Sequence, residues 1–376
     1  MHALSNHTTL PGWHGVGLAP FISGGLKHAL TACSCHHVAR SLASSRTSKP
    51  CLASTNILLQ IRILPPMTEY VVTGAFGYSG RYITQRLLAR GHTVRTLTAS
   101  PQRAHPFGNQ VEASPFHFDD PKALAASLKG AEVLINTYWV RFDHDSVTHD
   151  LAVRNTRTLF EAARNADVGR VVHVSITNPS EDSPLPYFAG KARLERALAE
   201  TGLSHSILRP AVLFGRGDIL INNIAWALRR LPVFGVFGKG EYRLQPMHVD
   251  DFADLAVAES LESGNRIVDA IGPETFTYRE LVASLGEIIG KPRPIVGVPV
   301  WMGRCFSWAM GHLVGDVMLT REEIEGLMAD LLVTESQPSG STVLSQWAKE
   351  HAATLGVSYA SELARRRNRT KEYDKL

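Results

Sequence analysis

The stretch "EYVVTGAFGYSGRYITQRLLARGHTVRTL", residues 69–97, leaves the chain few folds to choose from. Tyr70, Val71 and Val72 make a short apolar strand, and Thr73–Gly74–Ala75–Phe76–Gly77–Tyr78–Ser79–Gly80 follows with glycines spaced G-x-x-G-x-x-G. A helix then carries Ile83, Leu87 and Leu88 on one face and stops at Gly91, and Val94–Leu97 forms a second strand. This is a βαβ unit with glycines at its first turn. The first glycine allows a tight turn, the second lets backbone N–H groups approach a pyrophosphate, and the third lets helix pack closely on strand. The helix N-terminus adds positive potential at the same place. Gly74, Gly77 and Gly80 fill these roles in order, with Phe76 and Tyr78 in the same turn, so the segment reads as a dinucleotide cradle.

The end of the second strand bears on which dinucleotide. NAD readers place Asp or Glu there to bond the ribose 2′-OH. Here the chain reads "TLTASPQR", offering Thr98, Ser100 and Arg103, with no acid until Glu112. A carboxylate would repel a 2′-phosphate, whereas hydroxyls and a guanidinium can bind one. NADP(H) is therefore favoured, with NAD(H) the alternative and Arg103 as a plain solvated charge the duller account.

Strands and helices keep alternating. "SPFHF" is expected as a third strand and "DPKALAASLKGA" as a helix entered through Asp120-Pro121. "AEVLINTYW" is the fourth strand, with Asn136 at its carboxyl end among the cofactor-binding candidates. "SVTHDLAVRNTRTLFEAARNADV" is a long helix, "GRVVHVSIT" the fifth strand, "YFAGKARLERALAET" another helix and "SHSILRP" the sixth strand. Repeated βα units predict an α/β fold, a doubly wound parallel sheet with right-handed crossovers and ligands beyond the strands' carboxyl ends. Past Pro210 the alternation loosens, which suits a smaller C-terminal substrate lobe. The domains expected are 67–215 for the nucleotide, 216–333 for the lobe and 334–376 as a polar helical tail ending in a solvated basic run.

Ser175 falls at the end of the fifth strand, and Tyr187 and Lys191, four residues apart, share a face of the next helix. A tyrosine phenol has an ordinary pKa of roughly 10. A neighbouring ammonium stabilises the phenolate, and Lys191 would also hold ribose hydroxyls while Ser175 orients a carbonyl. Asn155 sits on an otherwise apolar stripe with Leu151 and Leu159, either supporting the proton route or satisfied locally as a buried amide. Ser175, Tyr187, Lys191 and Asn155 are the catalytic candidates. In the lobe, Tyr242, Arg243 and His248 would face substrate or serve packing, "LPVFGVFGKGEYRLQP" reads as hairpin-like, and Thr277 with Glu280 has capping-box spacing.

Together "TGAFGYSG", Asn155, Ser175, "YFAGK", "ILRPAVLFG" and "QPMHVDDFADLA" resemble the short-chain dehydrogenase/reductase superfamily in its extended or atypical branches. "NTYWVRF", "VSITNPSEDSPLPYFAGKA" and "GDILINNIAWALRRLPVFGVFG" resemble the group around the NADPH-carrying accessory subunit of respiratory complex I. The superfamily resemblance implies a Rossmann fold and hydride transfer to or from a small carbonyl or alcohol, with Tyr187 as acid/base. The narrower one implies a structural nucleotide and association with a membrane respiratory complex. Nucleotide-sugar epimerases and isoflavone-type reductases are other relatives. Many relatives place an Asp after the third strand to bond adenine, where this chain has His117.

Charge narrows the partners. The whole chain has 39 Lys+Arg against 35 Asp+Glu, but residues 1–66 hold Lys27, Arg40, Arg46, Lys49 and Arg62 and no acid. The remainder is close to neutral, which gives no reason to expect a nucleic-acid partner. The first 66 residues read as a transit peptide or as sequence upstream of a start at Met67. Sparse arginines and the lack of an amphipathic period favour the second. Cys33, Cys35 and Cys51 lie there, and "CSCHH" lacks a second ligand cluster, so no metal is expected. With Cys305 alone in the body, a reducing compartment is expected: the cytoplasm, or the mitochondrial matrix if the leader is a transit peptide. Apolar runs such as "ILINNIAWAL" are too short and polar for a transmembrane segment.

Overall fold

The computed structural model describes residues 67–141, 143, 147–303, 316 and 320–373. The leader with its cysteines, and the aromatic stretch holding Cys305, Phe306, Trp308 and Met310, lie outside the described residues. The chain runs β1 (Glu69–Thr73), α1 (Tyr78–Ala89), β2 (Thr93–Leu97), β3 (Val111–Ser114), α2 (Pro121–Leu128), β4 (Val133–Asn136), α3 (His149–Asn165), β5 (Arg170–Val174), α4 (Pro186–Glu200) and β6 (Ser204–Pro210). Then come β7 (Val212–Phe214), α5 (Leu220–Arg230), β8 (Phe234–Phe237), β9 (Arg243–Leu244), β10 (Pro246–His248), α6 (Val249–Ser260), β11 (Arg266–Ala270), β12 (Phe276–Thr277), α7 (Tyr278–Ile288) and β13 (Ile295–Val298). The described chain closes with α8 (Arg321–Met328), α9 (Leu344–Glu350) and α10 (Glu362–Arg367).

Seven parallel strands form the main sheet in the order β11-β6-β5-β4-β1-β2-β3. Alternate residues of β1 serve opposite faces: Val71 packs with Leu124, Phe160 and Leu194 from α2–α4, and Tyr70 and Val72 pack with Ile83 and Leu87 of α1 and Phe252 of α6. Burial on both faces is why the central strands β1 and β4 read as short apolar runs. Order reverses between β1 and β4, opening a crevice beyond their carboxyl ends where such sheets bind ligands. This is the doubly wound α/β fold.

Three details depart from the sequence expectation. The third strand is Val111–Ser114, and 115–118 turns away with His117 at φ +50, because Phe116 and Phe118 stack on each other and on Tyr138. The hairpin expected over 231–246 does not form: β8 pairs in parallel with β13, and β9 pairs antiparallel with β12. The expected boundary at 215 is crossed as well, since β11 extends the main sheet and α6 lies on α1, tied by Arg86 to Asp250 at 2.5 Å and Asp254 at 2.9 Å. The capping box forms as spaced, Thr277 and Glu280 each accepting from the other's backbone N–H. A second core gathers Phe214, Leu228, Val236, Leu285 and Ile324 with Trp347 and Leu355, so much of the polar tail is part of the lobe.

Candidate functional site

The crevice is built from backbone first. Gly74 leaves β1 at φ +69, a conformation open to glycine at little cost, and its N–H donates to Leu97 O at 2.8 Å, joining the turn to the end of β2. A Cβ on Gly80 would lie 2.2 Å from Gly74 O, so α1 sits as close to the turn as backbone allows. Helix α1 begins after Gly77 with no side-chain cap and no acid in its first turn. Its first N–H groups and the positive end of its dipole therefore face the crevice uncompensated, and this fits a pyrophosphate. Phe76 is buried and stacks on His105, ring centroids 3.9 Å apart. Burial pushes the Tyr78 phenol well above its usual range.

Side chains lace the strand ends together. Thr73 Oγ1 donates to Asn136 Oδ1 (2.9 Å) and accepts from Thr137 N (2.7 Å), and Asn136 Nδ2 meets His173 Nδ1 at 3.0 Å. Asn136 and His173 are fully buried, and desolvation pulls His173 well below its ordinary pKa. The network holds β1, β4 and β5 in register at the crevice floor. At the other wall, Thr98 N donates to Ser114 O and Ser100 N to Thr98 Oγ1 (3.1 Å). Arg103 is buried, and its Nη2 donates to Arg365 O (2.6 Å) and Asn368 O (3.0 Å) on the C-terminal segment. The basic tail expected to be solvated is docked here, because those carbonyls and an aromatic side chain find partners around the glycine turn.

At the carboxyl end of β5, Ser175 is buried and its hydroxyl donates to Glu195 Oε1 at 2.5 Å. Glu195 is held in turn by Arg209 through bonds of 3.0 and 2.5 Å. Lys191 Nζ donates to Val174 O at 2.7 Å and lies 4.3 Å from the centre of the Trp139 ring. Burial draws its pKa down to about 7, with Glu195 opposing. Tyr187 packs edge-on against Trp139 and His149, with centroids 5.5 and 5.7 Å apart. Burial and then the Glu323 carboxylate push its phenol up to about 12, against Arg141 and Arg366. The expected lowering of this phenol by Lys191 is not what the structure has. Lys191 turns to a carbonyl and an indole face, and its own charge is disfavoured by desolvation.

Trp139 is a shared neighbour of Tyr187 and Lys191, and Lys191 bonds the carbonyl before Ser175, which defines one corner; the charges acting on the Tyr187 phenol are those of Glu323, Arg141 and Arg366. Asn155 bonds elsewhere, its Nδ2 donating to Tyr138 Oη at 3.0 Å beside the Phe116–Phe118 pair. In the lobe, Tyr242 and His248 are buried in packing, Tyr242 against Tyr278 and His248 against Phe214 and Trp347, while Arg243 pairs with Asp330. Arg209 entered the sequence reading only as part of the "ILRPAVLFG" motif and Glu195 went unnoticed, although Tyr187, Lys191 and Glu195 form an i, i+4, i+8 stripe that would have pointed to it. An open cleft of about 690 Å³ adjoins this corner, lined by Asn178, Arg209, Arg243, Asp269, Asp330 and Glu335. Arg209 links the two, lining the cleft and holding the carboxylate behind Ser175. Among the described residues, no helix is long and apolar enough to cross a membrane.

Comparison with known proteins bears on the fold and on dinucleotide binding. A family model described as NAD(P)H-binding matches residues 74–219. A ceramide reductase of Caulobacter vibrioides is 30% identical over 234 residues, 60% of this chain and 72% of that protein. The mitochondrial NADH dehydrogenase [ubiquinone] 1 alpha subcomplex subunit 9 of Arabidopsis thaliana is 25% identical over 287 residues, 70% of this chain and 71% of that one. In fold, the chain is similar to a triphenylmethane reductase of Citrobacter sp. solved with NADP(H), at TM-score 0.64 and 19% identity, over 75% of this chain and 99% of the other.

Proposed function

The chain belongs to the NAD(P)H-binding Rossmann family, and from that premise we propose that it is an NADP(H)-preferring oxidoreductase of the atypical short-chain type, acting on a small carbonyl or alcohol. Gly74, Gly77, Gly80 and the open N-terminus of α1 would hold the pyrophosphate, and the Thr98–Arg103 loop the adenosine ribose. When bound, the nicotinamide supplies or accepts a hydride. Ser175 would donate a hydrogen bond to the substrate oxygen, and Lys191 would bond the nicotinamide ribose. Tyr187 would pass a proton to that oxygen as the hydride reaches its carbon. A phenol pushed up to about 12 is protonated at neutral pH, as an unshifted one is, so the shift does not set the direction of transfer.

What supports this reading is a glycine-turn helix with no side-chain cap, together with Lys191 bonded to the carbonyl before Ser175 and sharing Trp139 with Tyr187. NADPH oxidation over a panel of carbonyls and quinones, with wild type and Tyr187→Phe, tests it. The substitution should lower turnover by about 10²–10⁴-fold while nucleotide affinity stays within about twofold. Unchanged turnover removes Tyr187 from the chemistry.

A second reading is favoured by a specific observation: Ser175 donates into the Glu195–Arg209 pair and Tyr187 packs edge-on against Trp139 and His149. On that reading the chain holds NADPH for stability within a respiratory or quinone-linked assembly, in the mitochondrial matrix if the leader is a transit peptide. It predicts no turnover on any substrate, an indifferent Tyr187→Phe variant, and co-purification with a membrane complex.

A further inference from the structure

We propose that the C-terminal strap, residues 361–373, is part of the nucleotide site, and that Arg369 on this strap, rather than Arg103, meets the 2′-phosphate. The inference rests on the NADP(H) reading above. The loop after β2 is where the adenosine ribose of a dinucleotide is read. In this chain that loop is bonded to the strap along its length. Arg369 Nη1 donates to Ala99 O at 3.4 Å, placing an exposed guanidinium between Thr98 and Ser100, and Ala104 N donates to Thr370 O at 2.9 Å. Arg103, the cation closest in sequence, is buried and spends its Nη2 on Arg365 O and Asn368 O. Its geometry is that of an anchor that positions the strap.

The rest of the strap is fastened as firmly. Its helix α10 starts on the Asp316 carboxylate, which accepts from the N–H groups of Glu362 and Leu363. Arg365 is buried and donates to Gly217 O at 2.9 Å. Beyond it, Asn368 Oδ1 accepts from Lys371 N at 3.0 Å, turning the chain so that Tyr373 stacks on Tyr78 with centroids 6.4 Å apart. The Tyr373 ring also lies 5.3 Å from the Arg81 guanidinium and 4.3 Å from that of Arg365. The strap thus runs from the glycine turn to the ribose loop, with Arg367, Arg369 and Lys371 exposed along it. A phosphate dianion at the end of β2 would find the Thr98 and Ser100 hydroxyls on one side and the strap's cations on the other. A ribose with a free 2′-OH would gain nothing from those cations.

Dissociation constants of NADPH and NADH, measured by calorimetry for the full chain and its variants, test this. Arg369→Ala should weaken NADPH about tenfold and NADH by less than twofold, with Arg369→Lys recovering most of the loss. Arg103→Ala should weaken NADPH similarly and also open the strap to trypsin, since the anchor is gone. Equal changes for both nucleotides in Arg369→Ala, or none, overturn the proposal. So does an Arg103→Ala loss of NADPH affinity with the strap still protease-resistant, which would make Arg103 the direct reader. A chain ending at Ala360 that binds both nucleotides more tightly would make the strap a plug, and overturns it too. If the wild type binds neither nucleotide, the dinucleotide reading itself falls, an outcome distinct from these.

Discussion

The glycine turn and the Ser175–Tyr187–Lys191 corner are two halves of one candidate site, and they behave differently. In the turn, the groups that would bind a ligand are backbone N–H groups, placed by where side chains are missing. Glycine at 74 and 80 is enough, because Gly74 must take φ +69 and a Cβ at 80 would run into Gly74 O. In the corner, the working groups are side chains, and each has found a partner that its sequence spacing does not name: Ser175 has Glu195, Lys191 has Val174 O and Trp139, and Tyr187 has Trp139 and His149. Backbone sites follow from local sequence, whereas side-chain sites depend on what the rest of the fold brings within reach.

The largest effect that would sharpen this contrast is expected at the turn. Gly80→Ala places a methyl against backbone that cannot swing aside, and should cost roughly 3 kcal/mol of stability in urea unfolding and abolish dinucleotide binding. Retention of both would show that the turn is looser than the 2.2 Å approach implies. At the corner, Glu195→Gln leaves the Arg209 guanidinium without its counter-charge and loosens Ser175. Arg209 keeps some solvent contact, so the expected loss is about 2 kcal/mol, less than for a fully enclosed pair. A double variant with Arg209→Met should recover part of it, and additive losses would mean that the pair is not coupled.

The smallest effect is one of pH. Lys191 has a folded-state pKa of about 7 against an ordinary 10.5, so the folded chain sheds this proton first. Between those values the unfolded chain holds more protons, so stability from this group rises with pH between 7 and 9. Asp218, raised to about 7 by burial, works in the opposite direction but only below pH 7, and Tyr187 only above its ordinary 10. Urea midpoints for wild type and Lys191→Met across pH 7–9 isolate the term. Parallel curves would mean that Lys191 stays protonated.

How far the sequence could be read follows the same division. Strands β1, β4 and β5 announce themselves through apolar residues, β2 and β6 through their place in the βα alternation, and α7 through its capping box, because burial on two faces and caps are local demands. The third strand was displaced onto "SPFHF" because aromatic residues that stack in a loop look the same as residues in a strand. Parallel pairing of β8 with β13 across almost sixty residues leaves no local trace. Nothing near Ser175 announces Arg209, and nothing near Thr98 announces residue 369.

The amino-acid order on its own determined the α/β alternation, the glycine cradle and the serine after β5 with a phenol and an amine on α4, since each is set within one or two neighbouring elements. Tertiary structure alone decided that Lys191 faces an indole and a carbonyl rather than lowering the phenol, that Arg209 and Glu195 stand behind Ser175, and that the last described residues lie across the ribose loop. Those outcomes turn on desolvation and on charges from distant strands. Such energies exist only once the chain has closed around them.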